Sequence, residues 1–172
     1  MFTSIIIATD GSVHSERAVK LGCNLAAQYQ ANLSVLHVLG KGPLPKGFEQ
    51  FAEVEHLAKH NFTASEHTEN VTANLALAIG ESEGYQFQLH QAAGEQIIRK
   101  ALEFAVASGV QQVKEFISSG DPVSAILDLA DRVDADTIIM GTRGMSELKG
   151  LIMGSVSHKV CAQANAACIT VK

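Results

Sequence analysis

Short apolar, β-branched runs alternate along the chain with stretches in which apolar residues recur every three or four positions. The short runs predict buried strands, and the recurring positions predict helices that cover a sheet with one face. The predicted strands are Ser4–Thr9, Leu33–Leu39, Val113–Ile117, Thr137–Met140 and Cys168–Val171. Helices are predicted from Ser15 onward and over Gly94–Ala107, Val123–Val133 and Val156–Ala164.

Helices between consecutive strands imply parallel pairing through right-handed crossovers. Five strands connected in this way predict an α/β fold: a doubly wound, five-stranded parallel sheet of Rossmann-like type, with helices on both faces. The length of the chain suits a single domain over residues 1–172. In a sheet of this kind, ligands bind beyond the carboxyl ends of the strands.

Two of the predicted helices carry clear local signals. Asp121 and Pro122 supply an N-cap and an N1 proline for the third helix. The second helix has an apolar stripe, and we expect all of its members to face the core. These members are Ile97, Ile98, Ala101, Leu102, Ala105 and Val106.

The segment at about 41–94 is the least regular part of the sequence. Gly40–Gly47 has the composition of a linker, with three glycines and two prolines. Further on, Tyr85, Phe87 and Leu89 alternate with polar residues, which favours a strand and hence a hairpin or flap. A helix extension followed by a surface loop explains the segment equally well, so both interpretations stay open.

A glycine-rich loop follows the fourth predicted strand. Its glycines are Gly141, Gly144 and Gly154, separated by two and nine residues, and Ser155 comes next as the expected N-cap of the last helix. Glycines let backbone amides approach an anion, and a helix N-terminus attracts one. The loop therefore predicts a phosphate site, to which Arg143 adds positive charge. The alternative is that these glycines serve turn geometry only.

Two further short motifs accompany the loop: ATDGS at Ala8–Ser12 and LHVL at Leu36–Leu39. Together with the complete glycine spacing, they resemble the nucleotide-binding branch of the universal stress protein family. The resemblance implies the strand order 3-2-1-4-5. It also implies a site for ATP, or another adenine nucleotide, with Mg²⁺ as the expected companion of a triphosphate.

The resemblance also assigns roles to particular residues. It implies that Asp10 contacts the nucleotide, that backbone groups of Ala8 and Val38 hold the adenine, and that the loop binds the phosphates. The residues implied to bind the nucleotide are Ala8, Asp10, Val38, Gly141, Thr142, Arg143, Gly144, Ser146, Gly154, Ser155, Val156 and Ser157. Position alone leaves another role open, because Asp10 or Ser12 could cap the first helix.

Family members commonly pair through the last strand, so the resemblance implies a homodimer through Cys168–Val171. It implies an ATP-binding, cytosolic stress-response and regulatory module in which any hydrolysis of ATP is weak. Two alternatives stay open: a slow ATPase that uses the same site, and a nucleotide-free protein-interaction module. The sequence departs from the family at Ala167, where proline is common, and in the enlarged segment at about 41–94.

Composition and charge narrow the range of partners. The 172 residues carry a net charge of −5, and 5% are aromatic with no tryptophan. Neither a basic surface nor stacking platforms for nucleic acid are therefore expected. No apolar run is long enough to cross a membrane, and the first residues, Met1–Ala8, do not resemble a signal peptide. Both observations favour a cytoplasmic location.

Other residues that could carry chemistry have simpler explanations. Gly80–Gly84 matches the GxSxG pattern of serine hydrolases but lacks its strand and helix context, and we predict a turn. His56 and His60 are four residues apart, and an exposed helix face explains them without a metal. We expect no catalytic residue and no metal site built from side chains. The cysteines lack CxxC spacing and are predicted to be small apolar fillers. They are Cys23, Cys161 and Cys168.

Overall fold

The computed structural model describes residues 2–40, 83–144 and 153–172, with side chains described from residue 87 in the second range. The contacts of the chain separate two compact units. One unit comprises Met1–Leu39 with Gly94–Lys172, and the other comprises Gly40–Ala93. The first unit contains the sheet.

Within the described residues, the sheet has five strands in the order β3-β2-β1-β4-β5, and every strand pair is parallel. This result confirms the predicted doubly wound α/β fold and the strand order that the resemblance implied. The strands are β1 Ser4–Ala8, β2 Asn32–Leu39, β3 Val113–Ser119, β4 Thr137–Gly141 and β5 Ala167–Val171. Their bounds lie close to the predicted ones because β-branched apolar runs mark buried strands directly.

The described residues form four helices: α1 Val13–Tyr29, α2 Glu83–Ala107, α3 Pro122–Arg132 and α4 Ser155–Gln163. Ser12 is the N-cap of α1, and its hydroxyl accepts a hydrogen bond from the Ser15 N–H at 3.3 Å. Of the two candidates for this cap, Ser12 is therefore the correct one. The predicted cap of α3 is confirmed, because Asp121 accepts from the Ser124 N–H at 2.9 Å and Pro122 opens the helix.

Buried side chains form one layer on each face of the sheet. Along β1 they alternate: Ile5 and Ile7 join a cluster with α1 and α2, whereas Ile6 and Ala8 join a cluster with α3 and α4. Helices thus cover both faces of β1. This explains why β1 is a continuous apolar run without polar alternation.

Of the two interpretations left open for this segment, the strand at Tyr85, Phe87 and Leu89 is wrong, because all three residues lie in α2. Three alternating positions are a weak signal beside the long run of helix-forming residues that continues to Ala107. The predicted start of this helix, Gly94, lies in its interior. A Cβ on Gly94 would lie 2.8 Å from Cδ2 of His37 and 2.9 Å from Cδ2 of Leu39, so any larger residue would have to displace these two side chains of β2.

One member of the apolar stripe of α2 does not face the core as predicted. Ala101 and Ala105 are buried, whereas Val106 is 69% exposed. Successive helical residues are separated by about 100° around the axis, which carries Val106 past the edge of the buried stripe. Within the described part of the chain, no helix is both long and apolar enough to cross a membrane.

At the amino ends of β1 and β4, the carboxylate of Asp136 joins the two strands. Its Oδ2 accepts hydrogen bonds from the N–H of Thr3 at 2.6 Å, the hydroxyl of Thr3 at 2.7 Å and the N–H of Ser4 at 3.1 Å. Burial raises the pKa of Asp136, but these hydrogen bonds to the ionised form outweigh it, and the pKa is lowered overall.

Candidate functional site

The candidate site lies at the carboxyl ends of β1, β2 and β4. β1 lies between the other two, and Ala8 pairs with Leu36 of β2 on one side and with Met140 of β4 on the other. The segments that follow these strands therefore begin at one edge of the sheet. Asp10 follows β1 and Gly141 ends β4 at this edge, and the predicted convergence of the strand ends is present.

β2 continues past the end of β1. The last backbone hydrogen bond between them runs from the Thr9 N–H to the Leu36 carbonyl at 2.9 Å, while β2 extends to Leu39. Backbone groups of a strand point alternately to its two sides, so Val38, two residues after Leu36, directs its N–H and C=O to the side where β1 has ended. Nδ1 of His37 donates to the Thr9 carbonyl at 2.8 Å and fixes this junction.

The turn after β1 is held by its own polar side chains. Oδ1 of Asp10 accepts a hydrogen bond from the Ser12 N–H at 3.0 Å, and the hydroxyl of Thr9 donates to Oγ of Ser15 at 3.1 Å. Gly11, between them, has a φ of 81°. This left-handed conformation suits glycine and lets the chain reverse from β1 into α1.

Gly141 ends β4 directly against the start of α1. A Cβ at this position would lie 2.8 Å from the Ser15 nitrogen and 3.0 Å from both the His14 carbonyl carbon and the Arg143 oxygen. All three are backbone atoms, which cannot move aside as a side chain can. Glycine is therefore required here by the close approach of two backbone segments.

Gly144 lies over the carboxylate of Asp10. A Cβ on Gly144 would be 2.5 Å from Oδ2 of Asp10. The hydroxyl of Ser12 also donates to the Arg143 carbonyl at 3.4 Å. The glycine loop and the turn after β1 thus form one continuous surface, although more than a hundred residues separate them in the sequence.

Thr142 connects the loop to two further elements. Its N–H donates to the Val171 carbonyl at the end of β5 at 2.8 Å. Its own carbonyl accepts from the Gly154 N–H at 2.7 Å and from the Ser157 hydroxyl at 2.9 Å, both at the start of α4. Nδ1 of His14 lies 3.2 Å from the hydroxyl of Thr142. His14 is not among the predicted site residues. Its position in the first turn of α1, the helix that begins at the site, is the sequence feature that could have indicated it.

The start of α4 differs from the prediction. The N-cap is Gly154, which has no side-chain capping bond, and Ser155 is the first helical residue and exposed. The hydrogen bond from Gly154 to Thr142 holds Gly154 extended and starts the helix one residue earlier than the sequence indicated. The N–H groups of Ser155, Val156 and Ser157 have no acceptor within α4, since the first intrahelical bond comes from His158.

The charges around the loop are mixed. Arg143 is half-buried in the loop, and Asp10 is half-buried beneath Gly144. Among the described residues, no group of three His, Cys, Asp or Glu side chains is arranged to hold a metal ion. Ser146 of the predicted site lies outside the described residues, as do His56 and His60.

The fold and these contacts define a class of protein: a doubly wound α/β domain with a glycine loop and a helix N-terminus at the carboxyl edge of its sheet. The sequence profile of the Universal stress protein family matches residues 1–172. The chain belongs to this family.

Individual relatives agree with the family match. The chain is 30% identical to Universal stress protein YxiE of Bacillus subtilis over 93% of this chain and 92% of the relative. Its fold is similar to that of a universal stress protein solved in complex with cAMP, with a TM-score of 0.59 at 23% identity over 99% and 96% of the two chains. It is also similar to the universal stress protein from Archaeoglobus fulgidus in complex with dAMP, with a TM-score of 0.57 at 20% identity over 99% and 98%.

Proposed function

We propose that this chain binds ATP with Mg²⁺, or another adenine nucleotide, and acts as a cytoplasmic stress-response and regulatory module. One observation carries the proposal: Gly141 has no room for a Cβ because the loop is packed on backbone atoms in the first turn of α1, and a Cβ on Gly144 would displace the carboxylate of Asp10. A loop that served only as a turn would not need this approach at two of its glycines. The approach builds a compact polar surface at the edge where such sheets bind ligands.

In this proposal, backbone amides bind the phosphates. The N–H groups of Ser155, Val156 and Ser157 have no intrahelical acceptors, and the positive end of the α4 dipole adds to their attraction for an anion. Arg143 contributes charge, and Ser146 is included on the family resemblance alone.

The adenine would lie beside the overhanging end of β2. Val38 has one backbone donor and one backbone acceptor on the side where β1 has ended, which matches the neighbouring donor and acceptor on an adenine edge. Ala8, with its small side chain, would contribute the adjoining surface at the end of β1. The structural neighbours in complex with cAMP and dAMP support adenine, because it is the base in both ligands.

The carboxylate of Asp10 suits a cation or a ribose hydroxyl better than a phosphate, because two anionic groups at the same surface repel each other. Asp10 would therefore hold Mg²⁺ or the ribose when the nucleotide is bound. Mg²⁺ binds proteins commonly through one or two carboxylates together with the phosphates of the substrate. When bound, Mg²⁺ would neutralise part of the negative charge of the phosphates.

We further propose a homodimer through the edge strand. Among the described residues, β5 pairs with β4 and with no other strand, and the proposal places a second copy along its other side. Residues 168–171 are half-buried in the isolated chain. The hydrogen bond between Thr142 and Val171 would connect this edge to the nucleotide loop.

The first experiment is to denature freshly purified protein and identify any released small molecule by mass spectrometry. Ligand-free protein is then titrated with ATP, AMP and cAMP in the presence of Mg²⁺, in a calorimeter. We expect saturable binding of one nucleotide per chain and its loss in Gly144→Val, whose side chain would collide with Asp10. No adenine nucleotide released and none bound would refute the proposal.

Turnover is measured in the same samples, because the alternative of a slow ATPase uses the same site. Release of phosphate that disappears in Asp10→Ala, while ATP still binds, would favour the enzyme. Binding of ATP without release of phosphate would exclude the ATPase and favour the regulatory module. Chain mass in solution, measured by light scattering with and without nucleotide, tests the homodimer.

A further inference from the structure

Two of the three cysteines lie on neighbouring elements at the end of the chain. Cys161 is exposed in the last turns of α4, and Cys168 is half-buried near the start of β5. Three residues, 164–166, connect the helix to the strand. The sequence predicted unrelated apolar fillers, but the connection between the two elements is short enough to bring these side chains together.

The two side chains belong to the same face of the sheet. Ile169 packs into the cluster under α1 and α2, whereas Cys168 packs into the cluster under α3 and α4. Val160, the neighbour of Cys161, is a fully buried member of that second cluster, and Ala164 packs against it. Cys168 therefore points toward α4, and Cys161 lies at the rim of the same contact.

The thiols also interact with each other. Burial raises the pKa of Cys168 to about 11, and the charge and hydrogen bonding of Cys161 contribute to the rise. Sγ of Cys168 lies 3.8 Å from the Ala166 carbonyl, to which it donates. At neutral pH, Cys168 thus stays a protonated thiol beside an accessible partner.

We propose that Cys161 and Cys168 form a reversible intramolecular disulfide by exchange with a small-molecule disulfide. The accessible Cys161 thiolate attacks one sulfur of the small disulfide, forms a mixed disulfide and releases one small thiolate. Cys168 then loses its proton to solvent and attacks Sγ of Cys161, which releases the second small thiolate. The two cysteines are oxidised, and the small disulfide is reduced to two thiols.

Cys23 provides an internal control. It is fully buried in α1, and burial alone raises its pKa to about 11. It belongs to the cluster under α1 and α2, whereas Cys168 packs against the cluster under α3 and α4 on the other face of the sheet. We expect Cys23 to stay reduced under conditions in which the other two react.

The test incubates the full chain with glutathione disulfide and follows the intact mass and migration on a non-reducing gel. We expect a monomer that has lost two hydrogen atoms, with Cys161 and Cys168 joined in a peptide map and dithiothreitol restoring the original mass. In Cys168→Ala the reaction should stop at the mixed disulfide, with one glutathione bound to Cys161. Cys161→Ser should stay unmodified, and Cys23→Ala should behave as the parent protein.

The pH dependence separates the two steps. The mixed disulfide should close about tenfold faster for each pH unit between about 7 and 9, because the thiolate fraction of Cys168 grows tenfold per unit below its pKa. A stable glutathione adduct on the parent protein, a disulfide-linked dimer, or no reaction would each overturn the proposal. The test requires no nucleotide, so its failure is distinct from failure of the proposed function.

Discussion

Gly141→Ala adds one methyl group at the point where β4, α1 and the glycine loop meet. The new Cβ would lie 2.8 Å from the Ser15 nitrogen and 3.0 Å from the His14 carbonyl carbon. Carbon atoms normally make contacts at about 3.5–4.0 Å, so the two backbone segments must separate by about 0.5–1 Å. No change of rotamer relieves the collision, because the opposing atoms are main-chain atoms.

The cost follows from overpacking, which typically amounts to about 1–3 kcal/mol. Alanine also restricts the unfolded chain, which returns about 0.4–1 kcal/mol where its conformation fits. We therefore expect Gly141→Ala to lower the free energy of unfolding by about 1–2 kcal/mol and the Tm by about 2–8 °C. If the loop binds phosphates, the affinity for ATP should fall about tenfold or more, since about 1.4 kcal/mol of lost binding energy corresponds to tenfold.

Gly154→Ala is the matched control, because it makes the same chemical change in the same motif. Its Cβ would lie 3.3 Å from the Thr142 oxygen, a contact that a shift of a few tenths of an ångström relieves. Alanine is a poorer N-cap than glycine, so we expect a loss of less than about 1 kcal/mol.

The assays are thermal and urea unfolding of ligand-free protein, followed by circular dichroism, and calorimetric titration with ATP and Mg²⁺. If Gly141→Ala is no less stable than Gly154→Ala, the close approach of β4 and α1 is refuted. If Gly141→Ala is less stable but binds ATP as tightly as the parent protein, the assignment of phosphates to this loop is refuted.

Three further predictions concern the framework. Asp136→Ala should cost about 1 kcal/mol at neutral pH, because the donors of Thr3 and Ser4 lose their acceptor near solvent. The pKa of Asp136 is lowered in the folded protein. The loss of stability in Asp136→Ala should therefore be complete above the unfolded pKa of about 3.9 and should vanish as the pH falls through the folded pKa. Urea unfolding of both proteins at a series of pH values measures this loss. Gly22→Ala would put a Cβ 2.5 Å from Cδ1 of Ile7 and should therefore lower the Tm. Asn24→Ala, on the exposed face of α1, is the control and should leave the Tm unchanged. A raised Tm for Gly22→Ala would contradict this packing. Asp121→Ala should lower the Tm by removing the cap of α3, and Asp121→Asn should retain most of the cap.

Several features of the fold were readable from the sequence because they depend on neighbouring residues. Apolar β-branched runs mark strands, and Asp121-Pro122 marks the start of α3, with no knowledge of the partner segments. The alternation of strands and helices then restricts the sheet to parallel pairing. The glycine spacing and the two short motifs, through family resemblance, supplied the strand order and indicated which strand ends meet.

Local signals were misleading at the start of α2. Tyr85, Phe87 and Leu89 alternate like a strand but belong to α2, whose length was hidden by Gly94. That glycine looked like a helix boundary, yet it lies within the helix because α2 packs closely on His37 and Leu39.

The sequence by itself determined the five strands and their parallel arrangement, and it predicted an anion site at the glycine loop, because these inferences follow from local periodicity and residue chemistry. Only the tertiary structure decided that Gly144 lies over Asp10, that Thr142 is bonded to Val171, and that Gly154 caps α4 in place of Ser155. The physical reason is steric. These contacts are set by the distance between backbones that come together only when the sheet forms, and no spacing along the chain encodes that distance.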